Sequence, residues 1–455
     1  MKNLELKIKK YQIGKIFSFT ITFPLFFIMM FTANAQSVDS LVNEAVANNP
    51  QLKSLQYRIE AVEYRSQSVD YLPPPNLSVE FSQVPVDEIN VWNEAISNSL
   101  SLSQMFPLGG KLGKMSETER KNVEVIKDDY DAYKASLIAN VKMAYYNIWQ
   151  IERKIEVQQE TIDLMNDLLK SIEIIYQVNR ISQADVFTVR SEVASNNAQL
   201  IIFKNQREAE IYKLNQLLGR DLESSEIITD REISGDSHKY SQSQLEEILI
   251  NTNPSLQKMN NMIEMNKAMI TANNSELVPD LMLEGMIMRM PRGMILTSKT
   301  DLSMLAHEPQ ETEYMYSLMA SITLPFVPWS SGKYEAKEEE LLAGIKGIEY
   351  ERTDMQREMF ANMKAALVRL GTANELFDLY ATEIIPNYQQ AVASQVSNYQ
   401  NNRSNITTVI DSYRMLLMQQ MNYYMVQADR QMAIAEIEMM VGTNLKSLLS
   451  SEGKN

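Results

Sequence analysis

Four methionines, Met282, Met286, Met288 and Met290, recur at even spacing in a stretch that also holds Glu284. Thioethers are soft ligands, and such a row would suit transient contact with copper(I) or silver(I) if it faced water. Ordinary packing against a neighbouring strand or loop uses the same residues, and both readings stand. A second group, Met415, Met418, Met421, Met425 and Met432, keeps helical spacing and is expected to be core. Other chemistry is scarce. The 455 residues contain no cysteine, which excludes disulfides, thiol catalysis, Cys-based zinc sites and a lipid attached through Cys. The two histidines, His238 and His307, lie far apart in polar surroundings and belong to no Ser-His-Asp or metal-binding pattern. No cofactor is expected, and an enzyme would need a convergent acid–base pocket that the sequence does not display.

Charge narrows the partners. The chain carries 43 Lys plus Arg against 58 Asp plus Glu, a formal net charge of −15, which opposes nucleic-acid binding. Residues 1–35 are the exception, with five Lys and one Glu. Lys7, Lys9, Lys10 and Lys15 lead into the apolar run Ile16 to Met30, and Ala33-Asn34-Ala35 offers a small-residue cleavage pattern. These features predict a signal peptide over 1–35 and an exported mature chain. Beyond Phe31 no apolar stretch approaches the roughly 20 residues of a membrane helix.

The elements that must position these residues come twice. Asn49-Pro50 returns as Asn253-Pro254, Phe106-Pro107-Leu108 as Leu324-Pro325-Phe326, Gly110-Lys111 as Gly332-Lys333, Tyr176 as Tyr399, and Leu218-Gly219 as Val441-Gly442. The expected organisation is a first repeat over 36–219, a polar linker over 220–242, a second repeat over 243–442 and a tail over 443–455. Each repeat reads as a leading helix (about 38–70 and 243–275), two strands, and a long helical hairpin. From Lys114 to Leu218 there is neither Gly nor Pro, as only long helices allow. Leu137, Val141, Ala144, Ile148, Ile151, Ile155, Gln158, Ile162, Met165, Leu169, Ile172 and Tyr176 keep a coiled-coil spacing with one polar exception. The arms are predicted at 111–179 with 182–218, and at 333–401 with 405–441. A first arm of that length spans roughly 100 Å.

Between leading helix and hairpin, apolar Leu77, Val79 and Phe81 alternate with Asn76, Ser78, Glu80 and Ser82. Leu100 and Leu102 alternate with Ser99, Ser101 and Ser103, and Leu318, Ala320 and Ile322 with Ser317 and Ser321. Repeat parity puts Met282, Glu284 and Met286 on the polar face. A period of two suits strands with lipid on one side and water on the other. It equally suits a soluble sheet covering a core. Four strands cannot close a barrel, and an open edge in lipid costs several kcal/mol per unpaired group, so insertion would require several chains to share one barrel.

The strand-Pro-Gly-helix junctions, Phe106-Pro-Leu-Gly-Gly-Lys111 and Leu324-Pro-Phe-Val-Pro-Trp-Ser-Ser-Gly-Lys333, resemble those of the TolC-like outer-membrane efflux ducts, and the likeness covers nearly all of 38–442. The Gln-Met-Phe-Pro-Leu-Gly-Gly-Lys stretch is most similar to the heavy-metal (copper/silver) branch. The resemblance implies a mainly α fold with a small β part, and a homotrimer whose twelve strands form an outer-membrane β-barrel continuous with a periplasmic helical tunnel. It implies a periplasmic adaptor and an inner-membrane pump as partners, with outer-membrane lipid around the barrel. Many members of that branch carry a lipidated Cys, which this chain lacks, so barrel and trimer contacts would hold it in the membrane.

The hairpin turns at 176–185 and 399–408 are equivalent tips, which in this family face the adaptor. That implies docking roles for Arg180, Ser182, Arg403 and Asn405, although Arg403 sits beside the family's tip arginine position. Ser182 and Asp185 also form an N-terminal capping box. Family members narrow the tunnel near the tip with acidic residues. The match falls on Asp411, with Thr408 in place of an expected acid, and Asp411 and Asp185 become gate candidates against the reading of a solvated helix face. The alternative to an exit duct is a periplasmic coiled-coil adaptor or structural rod of an envelope complex, which would share the hairpins without duplicated amphipathic strands.

Overall fold

The computed structural model describes residues 36–84, 86, 90–178, 180–224, 227–233, 241–291, 312–401 and 403–445. The expected signal peptide, His238, His307 and the tail beyond Leu445 lie outside them. The first half of the chain forms α1 (Val38–Asn48), α2 (Pro50–Ser68), β1 (Asn76–Ser82), the single turn α3 (Val91–Glu94), β2 (Ser97–Pro107), α4 (Lys111–Gln177) and α5 (Gln183–Leu218). The second half forms α6 (Gln242–Thr252), α7 (Pro254–Ser275), β3 (Asp280–Pro291), β4 (Thr312–Ile322), α8 (Pro328–Leu379), α9 (Ile385–Gln400) and α10 (Ile406–Val441). The strands make one antiparallel sheet in the order β1-β2-β3-β4. No helix among the described residues is long and apolar enough to cross a membrane. The fold is mainly helical with this small sheet.

Each expected leading helix is two helices, broken at the Asn-Pro pair. Asn49 caps α2, accepting from the Gln51 and Leu52 amides at 3.0 and 3.1 Å, with Pro50 as its first residue. Proline suits that position because its missing N–H would have no partner there. The buried Asn49 amide also donates to the Leu217 carbonyl at the end of α5 (3.0 Å). Asn253 repeats the arrangement, accepting from Leu256 N at 3.0 Å and donating to the Met440 carbonyl of α10 at 2.8 Å. Gly219 and Gly442, both left-handed, end α5 and α10 against these junctions. A Cβ on Gly219 would lie 2.7 Å from the Asn48 carbonyl oxygen, and one on Gly442 3.0 Å from that of Thr252. The repeated Asn-Pro and Leu-Gly or Val-Gly pairs thus form one lock, made twice.

The core is duplicated too. Leu41, Leu52, Val141, Ile148 and Leu218 are buried together, as are Leu245, Leu256, Met363, Leu370 and Val441 in the second half. The coiled-coil seam of α4 is buried from Leu137 to Ile148 and again from Gln158 to Ile172, apart from half-buried Leu169, while Tyr176 is exposed at its end. Gln158, the polar exception, is 1% exposed and donates to the Asn196 backbone and side-chain oxygens of α5 at 3.2 and 2.7 Å. The buried amide nitrogen is therefore satisfied, while its oxygen Oε1 has no hydrogen-bond partner among the described residues.

Two other expectations change. The second long arm is not one α-helix: a π-turn at Tyr380–Ile384 separates α8 from α9 just before Pro386. Proline removes one ladder donor and clashes with the preceding turn, and the wider π-turn accommodates both. The segment between the repeats is more than a polar linker. Ile227 is fully buried in the first core cluster, and its carbonyl accepts from Arg207 at 2.8 Å. Tyr145 Oη donates to Asp230 and accepts from its amide, and burial pushes the Tyr145 hydroxyl well above its ordinary range.

Candidate functional site: a two-faced sheet and paired hairpin tips

The register sorts the strand residues into two faces. One face carries the rows Val79–Leu100–Ile287–Tyr316 and Leu77–Leu102–Gly285–Leu318, and every large side chain in these rows is exposed. Beyond this apolar band, Tyr314 and the edge-to-face pair Phe81–Trp92 (centroids 4.6 Å apart) stand at the end away from the helices. Exposed Phe326 and Trp329 stand at the helical end. Aromatic side chains flanking an apolar band match the surface a membrane barrel presents to lipid. β2, β3 and β4 have 11, 12 and 11 residues, enough to span a hydrocarbon core as tilted strands.

The other face carries Ser78–Ser101–Met286–Ser317, Glu80–Ser99–Met288–Met315 and Asn76–Ser103–Glu284–Met319. Met105 pairs with Met282, and Met290 with Glu313. All four methionines of the row lie on this polar face, and the structure adds Met105, Met315 and Met319 to them. Directly opposed residues have Cβ atoms about 4.5–5.5 Å apart, so Met105–Met282 and Met288–Met315 can each turn two thioethers toward one ion. Sequence spacing alone could not find the added three, because cross-strand register was not legible.

At the opposite end of the molecule the two hairpin tips share one apolar cluster. Ile172, Val186 and Val189 of the first hairpin pack with Ile406, Val409 and Ile410 of the second. The turns are alike: the Arg180 amide donates to the Ile175 carbonyl, the Arg403 amide to that of Asn398, and both side chains are exposed. Ser182 and Asp185 form the reciprocal capping box of α5. Asn405 caps α10, accepting from the Thr408 amide and hydroxyl at 2.9 and 2.8 Å.

Asp411 and Asp185 are not brought together as a pair of free carboxylates. Asp185 is held in its cap, and Asp411 accepts from Arg414 Nη1 at 3.3 Å. Arg414 in turn donates through Nε and Nη2 to the two oxygens of Glu192 on α5, at 3.0 and 2.5 Å. The Arg414 side chain is 58% exposed and that of Glu192 only 8%. Glu192 also accepts from Asn196, which accepts from Gln158. One polar chain therefore runs from Asp411 on the second hairpin to Gln158 inside the first. Arg414 and Glu192 carried no motif in the sequence, since they are 222 positions apart and meet only when the hairpins pack.

Residues 41–220 match the family model described as outer membrane efflux protein. The match covers the first repeat, and the first repeat is thus similar to that family. The whole chain shares its fold with solved channel structures. It is 18% identical to CusC, whose structures describe folding and transmembrane channel formation, with a TM-score of 0.72 over 90% of this chain and 92% of that one. The Campylobacter jejuni CmeC outer membrane channel is 14% identical, with a TM-score of 0.69 over 92% and 89%. The Neisseria gonorrhoeae MtrE outer membrane channel, solved in an open state, is 17% identical, with a TM-score of 0.67 over 90% and 89%. No curated protein sequence matches the chain.

Within this fold, the methionine stripe of α10 departs from the expected core. Met415, Met418 and Met425 are exposed and Met421 is half-buried. Met418, Met421 and Met425 line a groove of about 420 Å³ with Phe203 and Arg414. Helical spacing marks a stripe, but what covers it depends on the neighbouring helix, and α5 meets α10 through the apolar cluster at the tip and the Arg414–Glu192 contact. Met432 alone of the group packs against the core.

Proposed function

We propose that this efflux protein is the outer-membrane exit duct of a tripartite efflux system, with no chemistry of its own. Three copies would close their sheets into one twelve-stranded barrel, and their hairpins would form the periplasmic tunnel that receives cargo from an adaptor and an inner-membrane pump. The observation that carries this reading is the sheet: two-faced, long enough to span, flanked by aromatics, and unpaired at β1 and β4 among the described residues. An unpaired edge in lipid leaves backbone groups without partners, so the sheet belongs in a ring of copies. A periplasmic adaptor or structural rod would have no use for the apolar strand face.

The exposed tips are the adaptor contact in this reading. Arg180→Glu with Arg403→Glu is expected to abolish efflux while the protein still reaches the outer membrane in heat-modifiable, oligomeric form. Full resistance in that double variant would count against tip docking. The seven-methionine polar face supports soft monovalent ions, copper(I) or silver(I), among the cargo, because thioethers bind such ions weakly enough to release them. Replacing Met282, Met286, Met288 and Met290 by Leu keeps the volume and removes the sulfur. Silver tolerance of a strain relying on this duct should fall several-fold while tolerance of bile salts is unchanged; equal silver tolerance would return the row to packing.

A further inference from the structure

The two repeats use equivalent elements, and what distinguishes them is that the contacts made across the internal boundary have no counterpart at the outer sides among the described residues. Helix α7 packs on two sides, against α8 of its own repeat and α4 of the preceding one. Its counterpart α2 packs against α4 and, slightly, α1, leaving its second side open among the described residues. The sheet has the same asymmetry: β3 pairs with β2 across the repeat boundary, whereas β1 has no strand on its outer edge. The open partners are α8 and β4, the counterparts of α4 and β2. Applying the repeat-to-repeat operation once more therefore sets α2 and β1 of one copy against α8 and β4 of the next, a head-to-tail contact of the kind that closes rings.

The residues along this seam differ in chemistry from those at the internal boundary. Inside the chain, Asn261 of α7 donates to Asp128 of α4 at 2.6 Å, and Lys258 pairs with Asp129 at 2.7 Å. The repeat carries Asn261 onto Tyr57 and Asp128 onto Tyr350, and both tyrosines are exposed, at 71% and 79%. Tyr57 and Tyr64 also stand one heptad apart on α2, and Tyr71 follows three residues beyond its end, all exposed, where the α7 counterparts are Asn261, Ala268 and Ser275. Two bare tyrosines on a helix with an open second side, and a third just past its end, need cover, and aromatic side chains carry much of an interface's burial.

We infer that the protomer seam is an aromatic contact between copies, in which Tyr57 of α2 packs against Tyr350 on α8 of the partner copy, replacing the polar Asn261–Asp128 contact of the internal boundary. The inference rests on the ring-forming duct reading and adds to it which faces meet and through which side chains. Packed helices lie about 8–10 Å apart, within reach of a short bis-maleimide.

The cysteine-free chain gives a silent background. Full-length Tyr57→Cys/Tyr350→Cys in isolated membranes should cross-link most of the protein into dimers and trimers, while neither single variant does. Ser54→Cys/Glu351→Cys, the positions matching Lys258 and Asp129, keeps both tyrosines and should give the same ladder. Asn261→Cys/Asp128→Cys should link within one chain, with no ladder. Native mass measurement runs beside these. A trimer with no ladder from either seam pair overturns the aromatic seam and leaves the duct standing; a monomer overturns both; a ladder from Tyr57→Cys alone overturns the head-to-tail arrangement.

Discussion

Asn49→Ala is expected to be among the most destabilising single substitutions in this protein, although it touches neither sheet nor tip. The side chain caps α2 through two amides, accepts from Tyr133 Oη at 3.4 Å, and holds the Leu217 carbonyl at 3.0 Å. Losing the cap costs about 1 kcal/mol, and leaving the carbonyl short of a partner about 1–3 kcal/mol. Together the loss is roughly 2–4 kcal/mol, with a matching loss for Asn253→Ala in the second repeat. Asn49→Ser keeps a capping oxygen but cannot reach Leu217, and should fall between wild type and Asn49→Ala. Urea unfolding of detergent-solubilised protein, followed by circular dichroism, measures all three. An Asn49→Ala midpoint equal to wild type would mean that the lock is dispensable.

Arg414→Ala should open the tip. It removes the only described ion pair between the two returning helices α5 and α10, and it leaves Glu192 buried with Asn196 as its remaining side-chain donor. Because the Arg414 head lies largely in solvent, the cost is nearer 2 kcal/mol than the larger values of fully buried pairs. That is still enough to shift a balanced closed-to-open equilibrium more than tenfold. The same change frees Asp411 from its cation, and in a three-fold ring three bare carboxylates would favour cations and bind multivalent ones. Planar-bilayer recordings of Arg414→Ala should therefore show several-fold higher conductance with stronger cation selectivity. Arg414→Ala/Asp411→Asn should keep the conductance and lose the selectivity. Asp185→Asn, whose effect is confined to a helix cap, should change neither. Wild-type conductance in Arg414→Ala would remove this network from gating.

Periodicity and repetition were legible before any coordinates because they are local. The heptad of α4, the alternation of Leu77–Val79–Phe81, the Ser182–Asp185 cap and the Asn-Pro recurrence all follow from backbone geometry over a few residues, and each marks an element or its end. Pairing the two copies of Asn-Pro showed that something was duplicated, without revealing that each asparagine bridges to a helix end 168 or 187 positions away. That bridge exists only once the hairpin folds back beside its leading helices.

From the amino-acid sequence alone come the duplication, the long hairpins, the two-faced strands and the absence of thiol chemistry, since these depend on residue type and on period. Only the tertiary structure decides which residues at those positions meet. Register adds Met105, Met315 and Met319 to the methionine face, closure of the first hairpin brings Gln158 to Asn196, packing of one hairpin on the other brings Arg414 to Glu192, and the bare sides of α2 and α8 show which faces remain open. The reason is physical: period selects a face, whereas contact depends on which distant segment arrives there, and in a duplicated chain the last contact of the series can be made only by another copy.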